Sequence, residues 1–185
     1  MLLKVKLFLC LSLFFTGLQS AMSQLSGTIN FYTQVTSVDY VCSAITVTDI
    51  TNFSAGDKVL IIQMQGATID QTNTVNFGNI TAIGDAGNYE FAVIDHFVGN
   101  AVYLTKTLLR TYTPSGAVQM INVPQYGTIS IDAELTTQPW NGNTGGVIVF
   151  ESSSTVTLNA NINGSGTGFR GGHKSATGGD CFTSS

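Results

Sequence analysis

Between Tyr89 and Val98 the side chains alternate between two faces, and this period of two limits the possible folds more than any other feature. Tyr89, Phe91, Val93, Asp95 and Phe97 share one face, and Glu90, Ala92, Ile94 and His96 share the other. No stretch of the chain keeps a helical period. Ile45 and Val47 alternate with Thr46 and Thr48 in the same way, as a half-buried strand does. Lys58 to Met64 (KVLIIQM) is an almost unbroken apolar run and is expected to be a central strand. Gly99-Asn100 is a two-residue turn into a strand at Ala101–Leu104, because both residues tolerate the positive φ of tight hairpins. Weaker strands are expected at Val75–Ile83, Val118–Val123 and Thr128–Ile131. Short strands with Gly-rich turns and no helices predict an all-β fold, with a sandwich or barrel-like part over 24–139.

The texture changes at Trp140. From there to Ser185 the strands are shorter (Val147–Phe150, Val156–Leu158, Asn161–Ile162) and the breaks are Asn, Ser and Gly. That rhythm is expected of the first rungs of a parallel β-helix, whose corners turn on Gly and Asn around a column of aliphatics. The opening of the chain has a different purpose. Lys4 and Lys6, the apolar run Leu7–Leu18 and the small residues at Ala21 and Ser23 predict a secretory signal peptide over 1–23. Its apolar run is too short to span a bilayer, so the mature chain is expected to carry no membrane span.

Removal of that segment leaves five basic and eleven acidic side chains, a net charge of about −6. A chain of this balance lacks the clustered basic face that nucleic acid demands. Its 43% hydrophobic content excludes disorder. Cys42 and Cys181 remain after processing, and in an oxidising compartment a disulfide between them is one expectation. The other is that each pairs with a cysteine outside this chain.

Enzymatic signatures are weak. Gly166-x-Gly168-x-x-Gly171 has the spacing of a dinucleotide loop, but the Gly-rich residues behind it cannot open the helix that such a loop requires. Asp95 and His96, as strand neighbours, are expected on opposite faces, which separates a base from its orienter. Asp57, Asp95, Asp132 and Glu134 are the candidate carboxylates, each with an ordinary turn or surface explanation. Asp85, Asn88 and Glu90 lie close together without forming a calcium loop. No catalytic residue, metal site or cofactor is therefore expected. Trp140, the single tryptophan, is the candidate ligand contact, as a stacking platform for a sugar ring; the alternative is a packed cap between two parts of the fold.

Four ordered blocks carry a family resemblance. They are Gly56-Asp57-Lys58-Val59-Leu60-Ile61-Ile62-Gln63-Met64-Gln65-Gly66-Ala67, Gly87-Asn88-Tyr89-Glu90-Phe91, Val123-Pro124-Gln125-Tyr126, and the stretch from Trp140-Asn141-Gly142 to Gly168-Phe169-Arg170-Gly171-Gly172. Over Val38–Gly172 the chain resembles the N-terminal region of large secreted, adhesin-like surface proteins of the Bacteroidota. The resemblance implies export, a β-rich head and a Gly-rich middle; such proteins often carry a C-terminal sorting domain for type IX secretion, which is not among these 185 residues, so cell attachment is not carried over from the resemblance. It implies no catalytic residues. The expectation is a secreted, non-catalytic structural or adhesive head of a longer cell-surface protein, with glycans or other surface polymers and the rest of its own polypeptide as partners. The alternatives are the start of a β-helical polysaccharide lyase or glycoside hydrolase, and a carbohydrate-binding accessory domain.

Overall fold

A computed structural model describes residues 22–169 of the chain. Residues 1–21 of the expected 1–23 signal peptide, Arg170 with the glycines that follow it, and Cys181 lie outside the described residues. The fold is all-β, and its helical content among the described residues is one 3-10 turn at Pro114–Gly116.

Six strands close into an antiparallel barrel: β2 (Tyr32–Asp39), β3 (Ala44–Val47), β8 (Ala101–Leu104), β7 (Tyr89–Val98), β4 (Lys58–Gln63) and β9 (Val118–Asn122), in that order around the wall. Closure pairs every strand on both sides and leaves no open edge. Val35, Ile45, Val59, Ile61, Ile94, Val102, Val118 and Met120 fill the interior from alternate positions. Gln63 also points inward, with its amide satisfied by the Gln65 carbonyl at 2.7 Å and the Thr113 N–H at 2.7 Å. At the β7–β8 hairpin Gly99 alone takes the positive φ, 56°.

A second layer is parallel. It contains β1 (Ser23–Thr28), β11 (Ile129–Thr136), β13 (Val156–Leu158) and β14 (Ile162–Asn163), while β10 (Gln125–Tyr126) pairs with β12 (Glu151–Ser152). Partners are a near-constant distance apart in sequence: Gln125 faces Glu151 and Tyr126 faces Ser152, 26 residues on, while Ile129 faces Val156 and Leu135 faces Ile162, 27 residues on. A fixed offset with parallel pairing means successive turns of one coil. Leu25, Ile129, Ile131 and Leu135 stack inside it.

The expected division at 139/140 falls within this layer. β1, from the start of the described chain, pairs with β11, and β11 pairs with β13 and β14. The barrel strands, residues 32–122, are thus inserted between one rung and the next. Composition concealed this because β1 and β11 carry few of the Gly and Asn corners that mark the later rungs.

Two strand expectations change. Val147–Phe150 joins no ladder, because its backbone groups are taken by side chains of the barrel. Asn30 donates to the Val149 carbonyl at 2.7 Å and accepts the Val149 N–H at 3.1 Å; the Tyr32 hydroxyl donates to the Val147 carbonyl at 2.6 Å; buried Gln119 binds the N–H and carbonyl of Gly145 at 2.9 and 3.1 Å. Val147 and Val149 then cover Leu60, Ile121 and Val123 on the outside of the barrel. This covering explains the unbroken apolar run of β4, which is buried inside by Val59 and Ile61 and outside by Leu60. The expected Val75–Ile83 strand shortens to β6 (Ile80–Ala82), paired with β5 (Thr68–Ile69). Asp70 accepts the Thr72 N–H at 2.8 Å and hydroxyl at 2.6 Å, and the Thr74 hydroxyl accepts the Asn76 N–H at 3.2 Å. These short polar side chains turn the backbone before a longer ladder can form.

Candidate ligand-binding face

The alternation of β7 puts its aromatic side outward. Glu90, Ala92 and Ile94 are the more buried set, whereas Tyr89 is 53%, Phe91 50% and Val93 36% exposed. In register these three sit beside Ile62, Leu60 and Lys58 of β4. Val147 and Val149 cover the β4 side of this surface and leave the β7 side open, so the aromatics stand at the border of the parallel layer.

The loop after β8 forms the opposite wall. Glu90 holds it there, accepting the N–H groups of Leu109 and Arg110 at 2.9 and 3.0 Å, one on each carboxylate oxygen. Between the walls is a groove of about 340 Å³, lined by Lys58, Phe91, Val93, Lys106 and Leu109 among others. The Lys58 ammonium lies 5.2 Å from the centre of the Phe91 ring, and the Arg110 guanidinium carbon 6.0 Å from that of Tyr89. Both distances suit cation–π contact. Tyr112, buried behind the loop, has its hydroxyl pKa pushed far up, first by burial and then by the Glu90 charge.

Lys58 also joins the groove to the parallel layer. Its ammonium contacts both Glu151 oxygens at 3.0 and 2.9 Å, and the Gln125 amide donates to the same carboxylate at 2.7 Å. Those two contacts, Lys58 first, hold the Glu151 carboxyl below the ordinary carboxylate range. A second hollow beside the pair is lined by Tyr126, Ser152 and Ser153. The whole surface thus offers flat rings next to amide, carboxylate, ammonium and hydroxyl groups on a rigid wall.

The residues singled out from sequence lie elsewhere. Trp140 is 6% exposed, packed at 4.7 Å and 47° against half-exposed Phe169, with its backbone N–H donated to the Thr167 carbonyl at 2.8 Å. A ring so covered is a cap between the loops and presents no open face to a sugar. Cys42 is exposed in the turn after β2. The Asp39 carboxylate accepts its N–H at 2.9 Å and raises the pKa of its thiol.

Asp95 and His96 are not separated as expected. An irregularity in the β7–β8 register between Ile94 and His96 turns both outward, with Asp95 Oδ2 2.8 Å from His96 Nδ1 and the imidazole stacked on Tyr103 at 4.3 Å. The same irregularity lets Phe97 pack against the barrel core from what would have been the outer face. Asp57 accepts the Ser54 N–H at 2.8 Å in a turn. Asp132 accepts from the Asn159 amide at 2.7 Å and the Ser130 hydroxyl at 2.6 Å, and Glu134 from the Asn163 amide at 3.1 Å, so both link neighbouring rungs. Asp85 accepts the hydroxyls of Thr111 and Thr113 at 2.8 and 2.9 Å. Among the described residues no three His, Cys, Asp or Glu side chains are grouped to hold a metal ion, and no helix is long and apolar enough to cross a membrane.

No protein-family model matches the chain, and no curated protein matches it by sequence. Solved structures that it resembles include the Gp54 tailspike of Acinetobacter baumannii bacteriophage AP22, in complex with A. baumannii capsular saccharide, at 12% identity and TM-score 0.39, covering 72% of this chain and 22% of that one. The tailspike gp61 of Pseudomonas phage phi297 is 11% identical with TM-score 0.36, over 74% and 20%. The tailspike gp49 of Pseudomonas phage LKA1 is 17% identical with TM-score 0.32, over 74% and 22%. The chain therefore spans about a fifth of the length of these proteins. The functional reading accordingly rests on the geometry of this chain.

Proposed function

We propose that this chain is the non-catalytic head of a larger secreted surface protein and attaches to glycans through the outward face of β7. The observation that carries the reading is the open groove beside Phe91 and Tyr89. Two half-exposed rings stand on a closed barrel, next to the Lys58–Glu151–Gln125 cluster, and this pairing of ring faces with planar polar groups suits a sugar's apolar face and hydroxyl rim. Export, attachment at the cell surface and kinship with Bacteroidota adhesins belong to the same proposal and are supported by the signal-like start and the four ordered blocks.

Binding of the secreted chain to a glycan array tests it. Retention of one or more polysaccharides, lost in Phe91→Ala and Tyr89→Ala variants that melt like the parent, supports the assignment. Retention that survives both substitutions and disappears with Trp140→Ala overturns the choice of face. The parallel rungs favour one alternative, the start of a β-helical polysaccharide-degrading enzyme; a fall in polymer length on incubation with the chain would establish it in place of a non-catalytic head.

A further inference from the structure

Beyond glycan binding as such, and resting on that reading of the β7 face, the distribution of charge identifies the class of glycan. Among the described residues the Lys and Arg side chains are Lys58, Lys106 and Arg110; the first two line this groove, and Arg110 follows its Leu109 wall with its guanidinium carbon 6.0 Å from the Tyr89 ring. The acidic side chains, by contrast, are spread over turns and rungs around the whole molecule. Among the described residues this gathers the cations along one face of a chain whose net charge is −4.

One carboxylate lines the groove and a second lies beside it behind Lys58, and each is already engaged. Glu90 accepts two loop N–H groups, and Glu151 is bound by Lys58 and Gln125. Among the described residues Lys106 and Arg110 make no ion pair. They stand on the loop that Glu90 fixes, Lys106 lining the groove with half-exposed Phe91 and Arg110 6.0 Å from the half-exposed Tyr89 ring. We infer that the groove takes a carboxylate-bearing polysaccharide, a uronic-acid polymer, with Lys106 and Arg110 meeting carboxylates of the chain while sugar faces lie on Phe91 and Tyr89. Arg110 can pair two-pronged with a carboxylate, and such charge-assisted contacts are stronger than hydroxyl contacts.

The test titrates the secreted chain with polygalacturonate, alginate and hyaluronate, and with each polymer after chemical reduction of its carboxylates to alcohols. Binding of at least one acidic polymer, weakened about tenfold or more by reduction, by Lys106→Gln with Arg110→Gln, and by added salt, is the expected result. Equal affinity for an acidic polymer and its reduced form, with Phe91→Ala weakening both, would overturn the uronate assignment and leave the glycan reading standing. Binding to none of the six polymers by a folded chain would overturn the uronate assignment too, and the glycan array then decides the broader reading separately.

Discussion

The barrel and the parallel layer solve the same problem in opposite ways. The barrel pairs every strand with two neighbours and keeps its aliphatics inside, so it is complete within residues 32–122. The layer grows by repetition, and each rung is covered only by the next. Ile131 is fully buried between Leu25 and Leu158, whereas Leu158, its partner on the last described rung, is 61% exposed. Closure gives a rigid wall on which a binding face can be held still. Repetition stacks the described rungs one on the next beside that wall. The two meet at 145–149, where side chains of one bind the backbone of the other.

The comparison can be broken most forcefully in the cores. Ile61→Ala in the barrel and Ile131→Ala in the layer each remove a fully buried side chain, and each is expected to cost about 2–5 kcal/mol in urea unfolding. A cooperative, single transition in both variants would show that barrel and layer unfold together. Next is the junction. Asn30→Ala leaves the Val149 N–H and the carbonyls of Val149 and Asn122 without their partner, for an expected loss of about 2–3 kcal/mol. Hydrogen exchange should then rise at 145–150 while β4 and β7 stay protected. Leu158→Ala, on the open rung, is expected to cost under about 1 kcal/mol, because most of that side chain is already in water. A cost equal to that of Ile131→Ala would mean that the rung is covered in solution and that the contrast is false.

Acid gives the mildest test. Asp132, held down first by Asn159 and then by Ser130, and Glu151, held down first by Lys58 and then by Gln125, both have depressed pKa values in the folded chain. Their stabilisation is complete above the unfolded values of 3.8 and 4.5 and is lost as pH falls through the lower folded values. Asp39 and Asp49 are depressed too, but each caps a turn two or three residues away, whereas Asp132 bridges neighbouring rungs and Glu151 ties a rung to β4 of the barrel. Exchange should therefore rise at 151–163 before it rises in the barrel strands as pH is lowered past 3.8.

Much of this was legible in the sequence, and the lapses have common causes. The period of two in β7, the apolar run of β4 and the β7–β8 hairpin follow from local pattern. So does the parallel texture after Trp140. The insertion of the barrel between rungs was hidden because β1 and β11 meet across about 100 residues, and no local pattern records such a pairing. The Asp95–His96 contact depended on a register irregularity that alternation cannot foretell. The candidate face was half legible: alternation grouped Tyr89, Phe91 and Val93, but which side of the strand faced water depended on where the 147–149 segment came to lie. Trp140 drew attention as the single indole, and its burial against Phe169 is a tertiary fact.

The most direct test of the account is the hydrogen-exchange footprint of a bound polysaccharide on the full chain. Added protection at β7 and at 105–110, with the rungs at 156–163 and the Trp140 loop unchanged, is the predicted result. Protection confined to the Trp140 loop or to those rungs, with the barrel face unaltered, would contradict it.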